Sequence, residues 1–274
     1  MCRLTDLRQA VLERNDSRAE RLRTELTARG TVAVNLLSSP GSGKTALLEA
    51  ELRLARERGL PAAALTADLA TENDARRLAR AGVPVKQVLT DGLCHLEAEM
   101  LAGHLAGWLP QDTRLLFVEN VGNLVCPASY DLGESLRVVL ASVTEGEDKP
   151  LKYPTAFGLA QLVVVTKQDL AQAAGFDREA FLANVRQVNP GVEVLETSVR
   201  TGLNLGTLLD RALAVGEGAA AHHPVMARQV REQAVGDSHP RSGPHAHAES
   251  HSHTESHPHA EPHPLAESHA HVQG

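Results

Sequence analysis

The chain has 274 residues, 42% of them hydrophobic, enough to bury one core of about 200 residues with material left over. A formal charge of −7 excludes the basic surface that would hold nucleic acid or an anionic membrane, so small molecules and proteins are the expected partners. No stretch reaches the roughly 18–20 apolar residues that span a bilayer, and the charged segment from Met1 to Gly30 lacks the apolar run of a signal peptide, so a cytoplasmic location is expected.

In chain order, Leu4, Leu7, Val11, Leu22 and Leu26 recur at mostly helical spacing among Arg and Glu, predicting an amphipathic entry helix over residues 1–30 that ends at Gly30. From Thr31 the pattern changes. Short apolar runs at Val32–Leu37, Ala62–Leu65, Leu115–Val118, Leu162–Val165 and Val192–Leu195 read as buried parallel strands. Periodic stretches near 44–58, 72–81, 94–108, 177–188 and 204–215 supply crossover helices, so residues 31–215 are expected to form a doubly wound, mainly parallel α/β sheet flanked by helices. After Val215 the composition shifts to Gly, Ala, Pro, Ser, Glu and His. A tail of residues 216–274 with so few large apolar side chains cannot build a core and is expected to be disordered.

The first strand leads directly into Ser38-Ser39-Pro40-Gly41-Ser42-Gly43-Lys44-Thr45 and then a helix, the context of a phosphate loop. In such a loop the backbone amides of Ser39, Gly41, Ser42 and Gly43 wrap phosphate, Lys44 neutralises it, and the Thr45 hydroxyl ligates Mg²⁺. Ser38 stands where the strict pattern has its first glycine. Asp68 and Glu119 each follow a strand and are the candidate acids, with Lys44, for catalysis and, with Thr45, for holding Mg²⁺; Asp74 is a weaker candidate. Gly122, three residues beyond Glu119, matches a turn that senses a γ-phosphate. The run Thr166-Lys167-Gln168-Asp169 points to guanine: a carboxylate at the fourth position pairs with the N1–H and 2-amino donors, and the lysine stem packs on the base. Thr166 is shorter than the asparagine usual at the first position, and Ser198 begins a loop of the kind that supports the base. GTP is the expected nucleotide.

Three cysteines at irregular spacing, Cys2, Cys94 and Cys126, argue against a disulfide framework. Cys94 and His95 are adjacent near the start of a predicted helix, and Cys126 lies seven residues beyond Glu119. Thiolate and imidazole suit Zn²⁺ or Ni²⁺, with a fourth ligand from water or from a second copy across a two-fold axis; simple burial is the alternative for either cysteine alone. The tail holds twelve of the fourteen histidines. Among them His245, His247, His251, His253, His257 and His259 form a dense, interchangeable set of ligands suited to nickel storage, binding more weakly as pH falls through the histidine range.

Three runs together resemble the HypB family, hydrogenase nickel-incorporation GTPases of the SIMIBI class of P-loop proteins: Asn35 to Thr45, Ala67 to Ala75, and Glu119-Asn120-Val121-Gly122-Asn123-Leu124-Val125-Cys126-Pro127. The resemblance spans residues 5–215. It implies a Zn²⁺ or Ni²⁺ site at Cys94, His95 and Cys126, a GTP-dependent homodimer, and nickel delivery to the large subunit of a [NiFe] hydrogenase alongside a zinc-binding HypA-like partner. Two departures stand out: the N-terminal Cys-x-x-Cys-Gly-Cys site of some relatives is reduced to Cys2, and the histidine-rich stretch follows the GTPase domain rather than preceding it. Competing readings are a urease-type nickel accessory GTPase, whose Cys-Pro-His element is not found, a small-molecule kinase on the same loop, and a nickel-storage protein whose GTPase activity is incidental.

Overall fold

A computed structural model of the chain describes residues 2–68, 73–90 and 92–227, with side chains for 9–67, 74–90 and 92–227. The described residues all belong to the first of two compact units, Met1–Asp237 and Ser238–Gly274. No helix among them is long and apolar enough to cross a membrane.

Helix α1 (Cys2–Ala28) leads into strand β1 (Val32–Ser38), and helix α2 (Lys44–Glu57) follows the loop after β1. Strand β2 (Ala62–Asp68), helix α3 (Asn73–Ala79) and strand β3 (Val85–Leu89) build one side of the sheet. Helix α4 (Ala98–Leu105) returns the chain to β4 (Leu115–Gly122), and a turn at Pro127–Ser129 precedes β5 (Leu136–Ser142). Two short helices, α5 (Lys149–Lys152) and α6 (Pro154–Gly158), lead to β6 (Leu162–Thr166). Helices α7 (Ala171–Ala174) and α8 (Arg178–Val188), strand β7 (Glu193–Glu196) and helix α9 (Thr207–Gly216) complete the unit. Seven parallel strands lie in the order β3-β2-β4-β1-β5-β6-β7, with β1 central. The doubly wound parallel fold expected from the alternation is the one found, with two strands, β3 and β5, beyond the five read from the sequence.

The apolar runs of the inner strands are buried on both faces because helices cover both. Leu36, Phe117, Val138 and Val164 face α2 and α9, while Ala33, Leu65, Leu116 and Val118 face α1 and α4. Among the described side chains of α1, Ala19, Leu22 and Leu26 are buried, whereas Val11, expected on the same stripe, is exposed. The helix ends at Gly30, whose positive φ of 68° and amide bond to the Thr27 carbonyl suit glycine.

One expected boundary shifts. The helix foreseen over 94–108 begins at Ala98, behind Glu97 at its N-cap, which leaves Cys94 and His95 in the preceding loop. The described residues beyond α9, to 227, still touch this unit. His222 Nε2 lies 2.8 Å from Asn189 Oδ1, and Met226 fills the space that a side chain at Gly158 would need. The tail histidines His245, His247, His251, His253, His257 and His259 lie outside the described residues.

An ion pair is sealed into the fold between β4 and β5. Arg137 Nε donates to Glu134 Oε1 at 2.6 Å, and its two amino groups donate to the carbonyls of Ala128 (3.0 Å) and Tyr130 (2.9 Å). Burial alone would raise the Glu134 carboxyl, but the Arg137 charge and the Leu132 amide overcome this and hold it at about 2, against an ordinary 4.5. Between those values the unfolded chain binds the proton and the folded chain does not. This pair therefore contributes stability above pH 4.5 that is lost as pH falls toward 2. Glu51 and Asp131, whose carboxyls burial raises, act in the opposite sense. Glu134→Gln is expected to destabilise the fold at neutral pH by about 3–5 kcal/mol, because it strands a buried guanidinium. The acid limb of stability, followed by urea titration from pH 5 downward, should flatten in the same variant.

Candidate nucleotide and metal site

The switch in crossover direction falls beside β1, and the cleft opens there, at the carboxyl ends of the strands. It encloses about 430 Å³ and is lined by the loop from Ser38 to Ala46 together with Ala67, Asp74, Arg77, Glu119, Val121 and Gly122. Ser38 is the fully buried last residue of β1. Among the described residues the non-glycine positions with positive φ are Lys167 and Asn204, so Ser38 has a backbone that needs no glycine. Gly43 does need to be one, with φ 91°, at the start of α2. Gly122 serves close approach: a side-chain carbon there would meet Pro40 Cα at 3.3 Å, so β4 can end against the phosphate loop.

The parallel register sets Leu36 of β1 and Thr66 of β2 opposite Glu119, which brings that acid under the start of α2. Thr45 Oγ1 donates to Glu119 Oε1 at 2.6 Å, and Lys44 Nζ lies 3.6 Å from the same oxygen. Lys44 Nζ also donates to the Asn120 carbonyl at 2.6 Å. Glu119 Oε2 is buried without a hydrogen-bond partner, as is Ser42 Oγ in the loop. An orphaned carboxylate oxygen beside a threonine hydroxyl is the hard-oxygen donor set that Mg²⁺ takes. Asp68 closes β2 in the backbone, and its side chain lies outside the described residues.

At the other end of the loop, Thr166 closes β6 and donates from Oγ1 to the Ser42 carbonyl, so its short side chain suffices to tie the β6 end to the phosphate loop. Lys167, in the left-handed region at φ 59°, arches over the loop and donates from Nζ to the Gly41 carbonyl at 2.7 Å. Asp169 Oδ1 accepts from Ser198 Oγ at 2.6 Å, and Thr201 N also donates to that hydroxyl, so the loop after β7 fixes the carboxylate. Lys167, Asp169 and Ser198 thus come together, linked to the glycines of the phosphate loop.

The expected metal ligands gather more loosely. Cys94 Sγ is 3.6 Å from His95 Nδ1, and the Cys94 thiol shares a hydrogen bond with Cys126. That bond, with burial and the neighbouring sulfur, pushes the Cys94 thiol up. Burial lowers the His95 imidazole below its ordinary value against the opposing pull of Glu97, whose Oε1 stands 3.7 Å from Nε2. The His95 ring stacks on Tyr130 at 3.9 Å between centroids. Among the described residues no group of three or more His, Cys, Asp or Glu side chains is arranged to hold a metal ion, so Cys94, His95 and Cys126 share a region without converging.

Sequence reasoning missed the groups that join the two regions. Asn120 Nδ2 donates to Asn35 Oδ1 at 3.3 Å, and Asn35 Nδ2 to Glu134 Oε1 at 3.4 Å. Glu134 pairs with Arg137, which grips the carbonyls of Ala128 and Tyr130. A buried polar chain thus runs from the residue that Lys44 bonds to the segment that follows Cys126 and stacks on His95. Its one legible sign is a polar residue, Asn35, inside an otherwise apolar central strand.

This fold and loop define a P-loop nucleotide-binding domain. Residues 32–196 match the CobW/HypB/UreG nucleotide-binding domain. The Escherichia coli K12 hydrogenase maturation factor HypB is 46% identical over 200 residues, which cover 73% of this chain and 69% of that protein. Among solved structures, HypB from Archaeoglobus fulgidus superposes with a TM-score of 0.69 at 37% identity, covering 75% of this chain and 100% of its own. HypB from Helicobacter pylori in complex with nickel gives 0.68 at 35%, covering 77% and 99%. The chain belongs to the HypB family of hydrogenase maturation factors.

The Thr166 tie to the phosphate loop can be removed without changing shape. Thr166→Val should cost about 1–3 kcal/mol, since it leaves the buried Ser42 carbonyl short of a donor, while Thr166→Ser should cost less than half as much. Thermal unfolding of the two variants beside the parent measures both.

Proposed function

We propose that the chain is a GTP-hydrolysing nickel metallochaperone that binds Ni²⁺ or Zn²⁺ and delivers nickel during maturation of a [NiFe] hydrogenase. Its working form is a GTP-dependent homodimer in the cytoplasm that meets a HypA-like zinc and nickel protein and the hydrogenase large subunit. The observation that carries this reading is the placement of Cys126 on the segment leaving β4, four residues beyond Gly122 and downstream of the Asn120 carbonyl that accepts from Lys44.

GTP binds with its phosphates in the amides of Ser39, Gly41, Ser42 and Gly43 and its base against Lys167, with Asp169 and the supporting Ser198 selecting guanine. Thr45, Glu119 and Asp68 would hold Mg²⁺, which when bound would offset phosphate charge and polarise the bond that breaks. Lys44 leaves the Asn120 carbonyl for the phosphate oxygens, and the end of β4 at Gly122 reads the γ-phosphate. The released Asn120 lets the stretch from Val121 to Cys126 move, which shifts Cys126 relative to Cys94 and His95. Bound metal is the cargo: Cys94, His95 and Cys126 engage it, a second subunit completes the ligand set, and hydrolysis loosens it for transfer. The tail histidines His245, His247, His251, His253, His257 and His259 hold a nickel reserve.

The deciding experiment measures Ni²⁺ and Zn²⁺ affinity of the full chain with GDP and with a non-hydrolysable GTP analogue, in the parent and in Cys126→Ala. Metal at the tail is separated from metal at the cysteines by the thiolate-to-nickel charge-transfer band. A nucleotide-dependent affinity change of fivefold or more that disappears in Cys126→Ala is expected. Equal affinities under both nucleotides would sink the coupling. Base choice has its own readout: Asp169→Asn, which replaces an acceptor by an amide donor opposite the 2-amino group, should weaken GDP binding at least 100-fold in calorimetry.

A further inference from the structure

We infer that Arg77 is a cation for the terminal phosphate of the bound nucleotide, acting from within the same chain, and hence a further catalytic residue of the hydrolysis proposed above, on which this inference rests. Among the described residues, Lys44 and Arg77 are the two cationic side chains lining the cleft. The cleft residues from outside the phosphate loop, Ala67, Asp74, Arg77 and Glu119 among them, come from the β2 and β4 side, away from Lys167 and Asp169 at the base end. Arg77 therefore stands toward the metal and γ-phosphate end.

Its guanidinium is tethered. Arg77 Nε donates to Glu49 Oε2 at 2.5 Å, and Glu49 Oε1 lies 3.6 Å from Arg80 Nε. Glu49 sits on α2 four residues after Thr45, one turn along the same face of the helix that the phosphate loop opens. The carboxylate takes the Nε donor, and among the described residues the two amino groups of Arg77 make no hydrogen bond. The edge they form is the one that grips two phosphate oxygens side by side. In phosphoryl transfer, charge spreads over the three oxygens of the moving group, and a guanidinium held ready beside them stabilises the transition state more than the ground state. Lys44, buried and bonded to the Asn120 carbonyl, serves the inner phosphates. Among the described residues no other cation lines the cleft to meet the outer one. A diphosphate leaves Arg77 without its target, so the residue should distinguish GTP from GDP.

The bland alternative is that Arg77 only pins α3 to α2 through Glu49. Three variants separate the two readings: Arg77→Ala, Arg77→Lys and Glu49→Gln, each assayed for GDP affinity, for affinity toward a non-hydrolysable GTP analogue, and for single-turnover cleavage of saturating GTP. Arg77→Ala should keep GDP affinity within about twofold, weaken the analogue tenfold or more, and slow cleavage by about 100-fold. Arg77→Lys should recover part of the analogue affinity, as a point charge can, but little of the rate. Glu49→Gln, which takes the charge from the tether and keeps the guanidinium, should retain most of both. Equal loss of GDP and analogue binding in Arg77→Ala, matched by Glu49→Gln, would reduce Arg77 to a structural pin, and a wild-type ratio of the two affinities would remove it from the site. A parent chain that binds GTP without cleaving it would defeat the hydrolase reading, while the ratio of GDP to analogue affinity would still decide the role of Arg77.

Discussion

Lys44 is nearly sealed from water, and a buried ammonium is tolerated only where acceptors meet it. The parallel pairing of β1 with β4 supplies them, since the register that sets Leu36 against Glu119 also carries the Asn120 carbonyl to within 2.6 Å of the ammonium. Much else follows from that junction. Gly122 must lack a side chain so that β4 can end beside Pro40, Thr45 can reach Glu119, and the cleft takes its floor from both strands. A shift of one residue between β1 and β4 would turn Glu119 away from α2 and take the Asn120 carbonyl from Lys44.

The polar chain behind this junction obeys the same rule. Asn35 and Arg137 lie on adjacent central strands where apolar residues are the norm, and each is tolerated because its donors find acceptors. Glu134 is the hub: Arg137, Asn35 and the Leu132 amide all donate to it. In surroundings of low dielectric such a network is stiff when complete and costly when broken, so the loop from Ala128 to Glu134 is held as one piece with the sheet. Arg23 extends the hold to α1, through paired bonds of 2.7 Å to the carboxylate of Asp131. The helix that sequence periodicity set apart as an entry segment is thus bound into the same body.

Local pattern was enough for the strand, loop and helix of the phosphate loop and for five strands, because each is a contiguous run whose chemistry is written in neighbouring residues. It was not enough for β3, an edge strand in which Lys86 and Gln87 interrupt the apolar run, nor for β5, where Arg137 breaks it. The parallel order itself needs pairings between residues some 80 positions apart, such as Val32 with Leu115, which no window of sequence contains. Arg77 carries no motif; only the packing of α3 on α2 shows that it reaches the cleft. The expected helix start at Cys94 failed for a local reason: Glu97 takes the N-cap in extended conformation, and the residues before it form the loop that the proposed metal site requires.

A ligand shifts an equilibrium only by the difference in its contacts with two states, so nucleotide control of metal binding needs bonds that the nucleotide replaces. Two such bonds are present without it: Lys44 to the Asn120 carbonyl, and Thr45 to Glu119. Phosphate competes directly for the first and a hard cation for the second. The Asn120 side chain, by contrast, bonds Asn35 and its own neighbour's amide, contacts that no phosphate touches. Under the proposed coupling, release of the carbonyl would free the backbone after Asn120 while the sheet and the Glu134 hub stay in place. Such a motion would be confined to the few residues between the strand end and Cys126, where Val125 is exposed while Leu124 stays anchored in the core. A switch of this size can reposition one thiol without disturbing the core, which is the least movement that metal release from Cys94, His95 and Cys126 would need.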